Sequence, residues 1–348
     1  MRYFLSMSQQ PNRHVHVLGS GPLAEELAAA YRHLGWSPTL GRAPHAQPNL
    51  FAVADDLLNT SDLEALESSG AEVVPSISTC SVTFDRDALR TTAADELGLP
   101  TLTHELARTA EELPAFAERI GYPLVVKPRR GRGQLVVRDA EELANAPVLK
   151  PFPAHGVVVE RFIEFDYELT ILTARSVDPA TGELATWFCE PIGTRHARGD
   201  LVECWQPAPL PDTVRDNARS IAARVTNALE CRGIYAIELF VDGEDVYFSA
   251  VLPLPGLDGM LTRATQRLDQ FEIHARATLH LPIDVTLVSP GASQIVYGAN
   301  TDPEALARAM SVEETGVQVL GRDVLVRSTG ESVEEARERA ARAADELR

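Results

Sequence analysis

Residues 235–260, YAIELFVDGEDVYFSAVLPLPGLDGM, constrain the fold more than any other stretch of the chain. Ile237, Leu239 and Val241 alternate with Glu238 and Phe240, Asp242 and Gly243 begin a turn, and Val246, Phe248 and Ala250 resume the alternation. This is the pattern of a β-hairpin. Period-two spacing puts Glu238 on the face opposite Ile237 and Leu239, so an otherwise apolar strand presents one carboxylate. The return strand runs into Pro253, Leu254, Pro255 and Gly256, which cannot continue a ladder. Phosphate-handling enzymes hold Mg²⁺ with a carboxylate placed this way, usually with a second acid opposite. Here the partner strand offers Ser249 and Ala250.

A chain of 348 residues with a hairpin this apolar predicts two or three domains with ample core. The net charge of −18 argues against a partner such as nucleic acid or an anionic membrane, although a local Arg/Lys cluster can still take a small anion. Cys80, Cys189, Cys204 and Cys231 lack CxxC spacing and read as reduced core thiols of a cytoplasmic protein. No apolar run reaches the roughly 20 residues of a membrane span. Residues 1–13 have no apolar segment of the signal-peptide kind and read as a disordered leader.

Residues 14–18 form an alternating strand that runs into Gly19-Ser20-Gly21-Pro22-Leu23-Ala24 and an Ala/Leu/Glu helix. Strand, G-x-G-x-x-A and helix is a dinucleotide fingerprint. The next strand, however, ends at Arg42 and not at a ribose-binding acid, so a Rossmann-like structural domain over residues 14–84 is favoured over a nicotinamide site. Helices are expected at 85–97, 110–120, 211–230, 269–279 and 332–347. Lys127 ends a strand before Pro128, and the loop Arg129-Arg130-Gly131-Arg132-Gly133-Gln134 follows. A lysine beside a glycine-bearing loop suits nucleotide phosphates, and a solvated basic hairpin tip is the plainer reading. Two strands within residues 157–173 carry Glu160 and Glu168, and the stretch through Trp205-Gln206-Pro207 reads as irregular.

Taken in order, these segments resemble the ATP-grasp superfamily, and within it the formate-dependent phosphoribosylglycinamide transformylases. The resemblance is carried by VVVERFIEFDYELTILTARSVD, Trp205-Gln206-Pro207 and YAIELFVDGEDVYFS, with IGYPLVVKP and LGSGPLAEELA in support. It implies an α/β and α+β multidomain protein: a Rossmann-like N-terminal domain, an ATP-grasp domain over 85–284 and a small β-rich C-terminal domain over 285–348. It also implies a homodimer. Arg86, Lys127 and the loop with Gly131 and Gly133 would meet ATP phosphates. Glu160 and Ile163 would lie at the adenine hinge, Glu168 would bind ribose hydroxyls, and Glu238 would bind Mg²⁺. Gly19, Gly21 and Leu23 in the first domain, with Asp258, Arg322 and Arg327, would face the second substrate.

Several positions depart from that family pattern. Ala250 stands where the second Mg²⁺ glutamate is expected, Leu254 where an arginine stabilises the acyl phosphate, and Leu257 where a substrate-side aspartate belongs, with Asp258 adjacent. Pro22 replaces a glutamate, the phosphate lid is shortened, and the paired arginines near the C-terminus are not evident. Phosphoryl transfer depends on positioning and charge neutralisation, so these losses predict a non-catalytic binding or regulatory module, with ATP and Mg²⁺ as possible but doubtful cofactors. The other reading is an active Mg-ATP-dependent transformylase or carboxylate–amine ligase. Whether Leu254 and Leu257 fill the cleft beneath residues 129–134 separates the two.

Overall fold

In the computed structural model, residues 13–42, 48–131, 133–146, 149–197 and 199–348 are described. The expected leader, apart from Arg13, lies outside them. Continuous apolar runs mark strands covered on both faces, and β1 (His14–Leu18) and β3 (Leu50–Val53) are such strands. With β2 (Ser37–Gly41) and β4 (Val73–Val74) they make a parallel sheet in the order β2-β1-β3-β4. Helix α1 (Pro22–His33) springs from β1 through Gly21, whose φ of +82° suits glycine, and Pro22 takes the first turn, where its missing N–H goes unneeded. Helices α2 (Thr60–Ser68) and α3 (Ile77–Thr83) complete this unit. Arg42, standing where a ribose-binding acid would be, pairs with Asp55 at 3.1 Å.

A second lobe begins at α4 (Arg86–Thr91), capped by the Asp85 side chain, which accepts from the N–H groups of Asp87 and Ala88. The helix ends in a π-turn over Thr92–Glu96, so the expected 85–97 helix is one element with a bend. Then come β5 (His104–Ala107), α5 (Leu113–Ile120), β6 (Leu124–Pro128), β7 (Leu135–Val137), α6 (Ala140–Asn145) and β8 (Val157–Arg161). Their antiparallel sheet runs β5-β8-β6-β7.

The third sheet has nine strands. Strands β9 (Tyr167–Val177), β10 (Leu184–Phe188), β11 (Ile192–Ala197) and β12 (Asp200–Gln206) precede α7 (Asp212–Leu229) and the hairpin of β13 (Gly233–Asp242) and β14 (Asp245–Leu252). The stretch read as irregular is therefore three strands. Its alternation is obscured because Gly193 sits where a Cβ would lie 2.2 Å from the Trp205 ring, so the side chain that would mark the strand is missing. Helix α7 lays Val214, Ala218, Ile221 and Val225 against Ile237, Leu239, Val241 and Phe248. Each larger aliphatic buried there contributes about 1.5–3 kcal/mol. That packing fixes which face of the hairpin is core and sends Glu238 to the other.

Beyond the hairpin lie a 3-10 turn (Asp258–Leu261), α8 (Thr262–Thr265) and α9 (Gln270–Thr278), the last opened by a capping box between Asp269 and Glu272. Strand β15 (Gly291–Val296), α10 (Pro303–Met310), β16 (Thr315–Leu320), β17 (Asp323–Thr329) and α11 (Val333–Asp345) end the chain. Strand β15 pairs with β12, so the C-terminal strands extend the central sheet. All four cysteines are free thiols. Among the described residues no helix is long and apolar enough to cross a membrane.

Candidate active site

Across the central sheet, Glu238 pairs with Ala250 on one side and with Thr170 of β9 on the other, and a bulge follows it. The carboxylate is solvent-accessible, on the face away from α7. Over the same face, at the start of the 3-10 turn, lies Asp258. Its carboxylate is hydrogen-bonded by the Thr170 side chain and accepts from the Gly259 N–H at 2.9 Å. Crowding in the cleft and then the charge of Asp258 push the Glu238 carboxyl above its ordinary range. Asp258 is likewise raised, by its own burial. Two carboxylates thus share the floor although position 250 has none. Among the described residues no cluster of three or more metal-ligating side chains occurs. Two acids completed by nucleotide phosphates are nonetheless a set that Mg²⁺ accepts, so this donor set fits that ion.

The leucines do not fill the cleft. Leu254 is 2 % exposed and packs with Leu18, Phe51, Val53 and Phe84 in the core of the first domain. Leu257 packs with Leu23 against the cluster of α1 and α9. The loss of charge at these positions is absorbed as interdomain packing, away from residues 129–134.

Lys127 and Glu160 lie on neighbouring strands, β6 and β8, and meet at 2.8 Å. Glu160 is 1 % exposed, and its second partner, Arg90 on α4, was not singled out from the sequence. Arg90 donates through Nε to Glu160 at 2.9 Å and through Nη1 to the Phe248 carbonyl at 2.9 Å, tying the second lobe to the hairpin. The only signal available was an arginine within an amphipathic helix. Burial alone would raise the Glu160 carboxyl, but Arg90 and then Lys127 overturn this and bring it down to about 2. Burial also pulls Lys127 below the usual lysine range. The carboxylate expected at the adenine hinge is therefore engaged in an internal ion triad.

Arg86 donates to the carbonyls of Pro128 and Gly131, each at 2.6 Å, and Arg129 pairs with Asp85 at 2.9 Å, so the shortened loop is laced to the start of α4. Gly131 and Gly133 have φ of +93° and +99°; Arg132 lies outside the described residues. Arg86 and Lys127 are close enough to lower the Glu238 carboxyl in part. Ile163 is half-buried in residues 162–166, the segment that joins β8 of the second lobe to β9 of the central sheet. Glu168 accepts or shares a proton with His196 Nδ1 at 2.8 Å, a partner missed from sequence because a bulge in β11 brings it there. Burial lowers His196, but the hydrogen bond and charge of Glu168 leave it raised overall.

A Cβ at Gly19 would lie 3.2 Å from the Ala54 backbone, so this loop packs against the end of β3, and Leu23 and Leu257 border the same apolar cluster. Arg322 is exposed at the β16–β17 turn, whereas Arg327 lies well along β17. The two do not form a pair.

A lobe with a lysine and a glycine loop, joined to a sheet that carries one acid on its hairpin and a second on the turn beyond it, defines an ATP-grasp protein, and residues 92–271 match the ATP-grasp domain family. The chain is 43 % identical to the formate-dependent phosphoribosylglycinamide formyltransferase of Corynebacterium efficiens, over 95 % of this chain and 94 % of that one. It is 37 % identical to the enzyme of the same name from Paraburkholderia xenovorans, over 96 % and 95 %. A solved structure of glycinamide-RNase-transformylase T from Mycobacterium tuberculosis superposes with a TM-score of 0.82 at 32 % identity, covering 97 % of this chain and 100 % of that one. An N5-carboxyaminoimidazole ribonucleotide synthetase in complex with ADP shares the fold, with a TM-score of 0.84 at 21 % identity over 96 % of each chain. The chain belongs to the formate-dependent phosphoribosylglycinamide formyltransferase family.

Proposed function

We propose that the protein is a working ATP-dependent enzyme that activates formate as an acyl phosphate and transfers the formyl group to the amine of glycinamide ribonucleotide, the reaction for which its relatives are named. The observation that carries this is the Glu238–Asp258 pair: the acid missing at position 250 is supplied from the next turn of chain, on the same face. Glu238 and Asp258 would hold Mg²⁺, which supplies neutralisation of charge on the nucleotide phosphates when bound. Arg86 and the laced loop position the phosphate end of the cleft, and Lys127 holds a positive charge there against Glu160. The packed leucines leave the cleft floor polar. Catalysis of this kind rests on such positioning and electrostatics.

The test is ADP formation with Mg²⁺, formate and glycinamide ribonucleotide, with each omitted in turn. Turnover that requires all three is expected, falling about 10²-fold or more in Glu238→Gln and Asp258→Asn. A rate no higher than with ATP alone would sink the proposal. The second reading, a binding or regulatory module without turnover, is favoured by one observation: Leu254 provides no charge at the position where an arginine is expected. It predicts nucleotide-induced stabilisation with no ADP released.

A further inference from the structure

Asp85 is used twice. Its Oδ1 caps α4 by accepting from the N–H groups of Asp87 at 3.2 Å and Ala88 at 3.3 Å. The same carboxylate meets both arginines of the shortened loop: Arg129 Nε donates to Oδ1 at 2.9 Å, and Arg130 Nε lies 3.7 Å from Oδ2. Arg129 also approaches Asp87, with Nη2 3.7 Å from that carboxylate. Asp85 is 4 % exposed, whereas Arg129 is half-buried and Arg130 exposed. A cap needs only a side-chain oxygen, which asparagine supplies as well. Two cations gathered on one buried carboxylate are more than capping asks for.

The backbone of the loop is gripped from the neighbouring residue. The Arg86 N–H donates to the Arg129 carbonyl at 3.0 Å, and Arg86 Nη1 donates to the carbonyls of Pro128 and Gly131. The Arg129 N–H in turn donates to the Gly156 carbonyl at 3.0 Å, which ties the loop to the start of β8. Phosphate oxygens are attracted by N–H groups and repelled by carbonyl oxygens. Three carbonyls of the loop are already engaged by donors, which cancels negative poles that a phosphate would otherwise meet. Arg86 keeps Nε and Nη2 without a partner among the described residues. A loose loop would have to be ordered when nucleotide binds, at a cost in affinity. A loop held at its arginines is ordered beforehand.

We propose that Asp85 is a positioning residue of the nucleotide cleft: by holding Arg129 and Arg130 it keeps the shortened loop in the form that receives nucleotide phosphates. This role rests on the enzymatic reading given above and falls to a residue that touches no substrate.

The experiment compares the full chain with Asp85→Asn, with the double variant Arg129→Gln, Arg130→Gln, and with all three changes together. Asparagine keeps the cap and removes the charge, whereas the double variant removes the same ion pairs from the loop and leaves the cap alone. Two quantities are read: hydrogen exchange at the Arg86 and Arg129 amides without nucleotide, and the dissociation constant of Mg-ADP by calorimetric titration. In Asp85→Asn, exchange should quicken and Mg-ADP binding weaken, each about five-fold or more, as loss of one hydrogen bond implies. The double variant should quicken exchange similarly, and Asp85→Asn added to it should change little more, because both act through one contact. Unchanged exchange in Asp85→Asn, or an equal effect of that change with and without the arginines, would reduce Asp85 to a cap and overturn the proposal. Quicker exchange with unaltered Mg-ADP affinity would sink this role alone. No binding of Mg-ADP by the parent would sink the enzymatic reading and this role with it. Should Asp85→Asn fail to fold, the double variant decides, and exchange there at the parent's rate would overturn the role.

Discussion

Glu160 on β8 and Glu238 on β13 are both strand carboxylates, and they are treated oppositely. Glu160 is enclosed with Arg90 and Lys127 and pulled down to about 2; Glu238 is open to the cleft, next to Asp258, and pushed up. One acid has its cations built in, whereas the other is placed beside a like charge with cations only at a distance. The first holds Arg90, which ties its lobe to the hairpin, and the second is a position that gains when a cation arrives. The sharpest way to break this contrast is Glu160→Ala. It strands two buried cations and should cost about 3–5 kcal/mol in urea unfolding. A loss below about 1 kcal/mol would mean the triad does not hold the lobe.

The same contrast has a pH dependence. Because Glu160 is depressed in the folded state, its contribution is fully present above the unfolded carboxyl value of 4.5 and is lost as pH falls through about 2. In between, the unfolded chain takes up the proton first. The interval corresponds to about 3 kcal/mol, from ~1.4 kcal/mol per pH unit. The stability gap between the parent and Glu160→Ala should therefore be flat from pH 7 to 5 and shrink progressively below 4.5. A gap that stays constant to pH 3 would show that the ion triad is not its source.

What could be read from the chain followed how local the physics is. The hairpin, the Glu238–Ala250 opposition, the lysine strand and the long helix were legible because periodicity and turn chemistry act within about ten residues. Residues 200–206 were not: β12 carries Glu203, paired with Arg337 from α11, where alternation would favour an apolar side chain. Arg90 was missed because its partner is 70 residues away, and the role of Asp258 because it depends on Thr170 from another strand. Leu254 and Leu257 could be read from the sequence only as missing charges, not as packing. A leucine replacing an arginine reads as lost chemistry, yet only the packing of the first domain shows that these side chains turn away from the cleft.

The smallest effect on stability is the most discriminating. Glu238→Gln removes one of two like charges, leaves an amide of the same shape, and lies in an accessible position. Its unfolding free energy should therefore stay within about 0.5 kcal/mol of the parent, a typical range for surface changes, or rise slightly. Its response to ligand should change far more. A ligand at 100 times its dissociation constant stabilises the native state by about 2.7 kcal/mol. In the parent, Mg²⁺ added with ADP should raise the melting temperature beyond ADP alone, and in Glu238→Gln and Asp258→Asn that metal-dependent increment should vanish. A variant destabilised by 2 kcal/mol or more would make Glu238 a structural acid like Glu160. An unchanged increment in Asp258→Asn alone would leave Glu238 as the sole protein carboxylate and return position 258 to the turn.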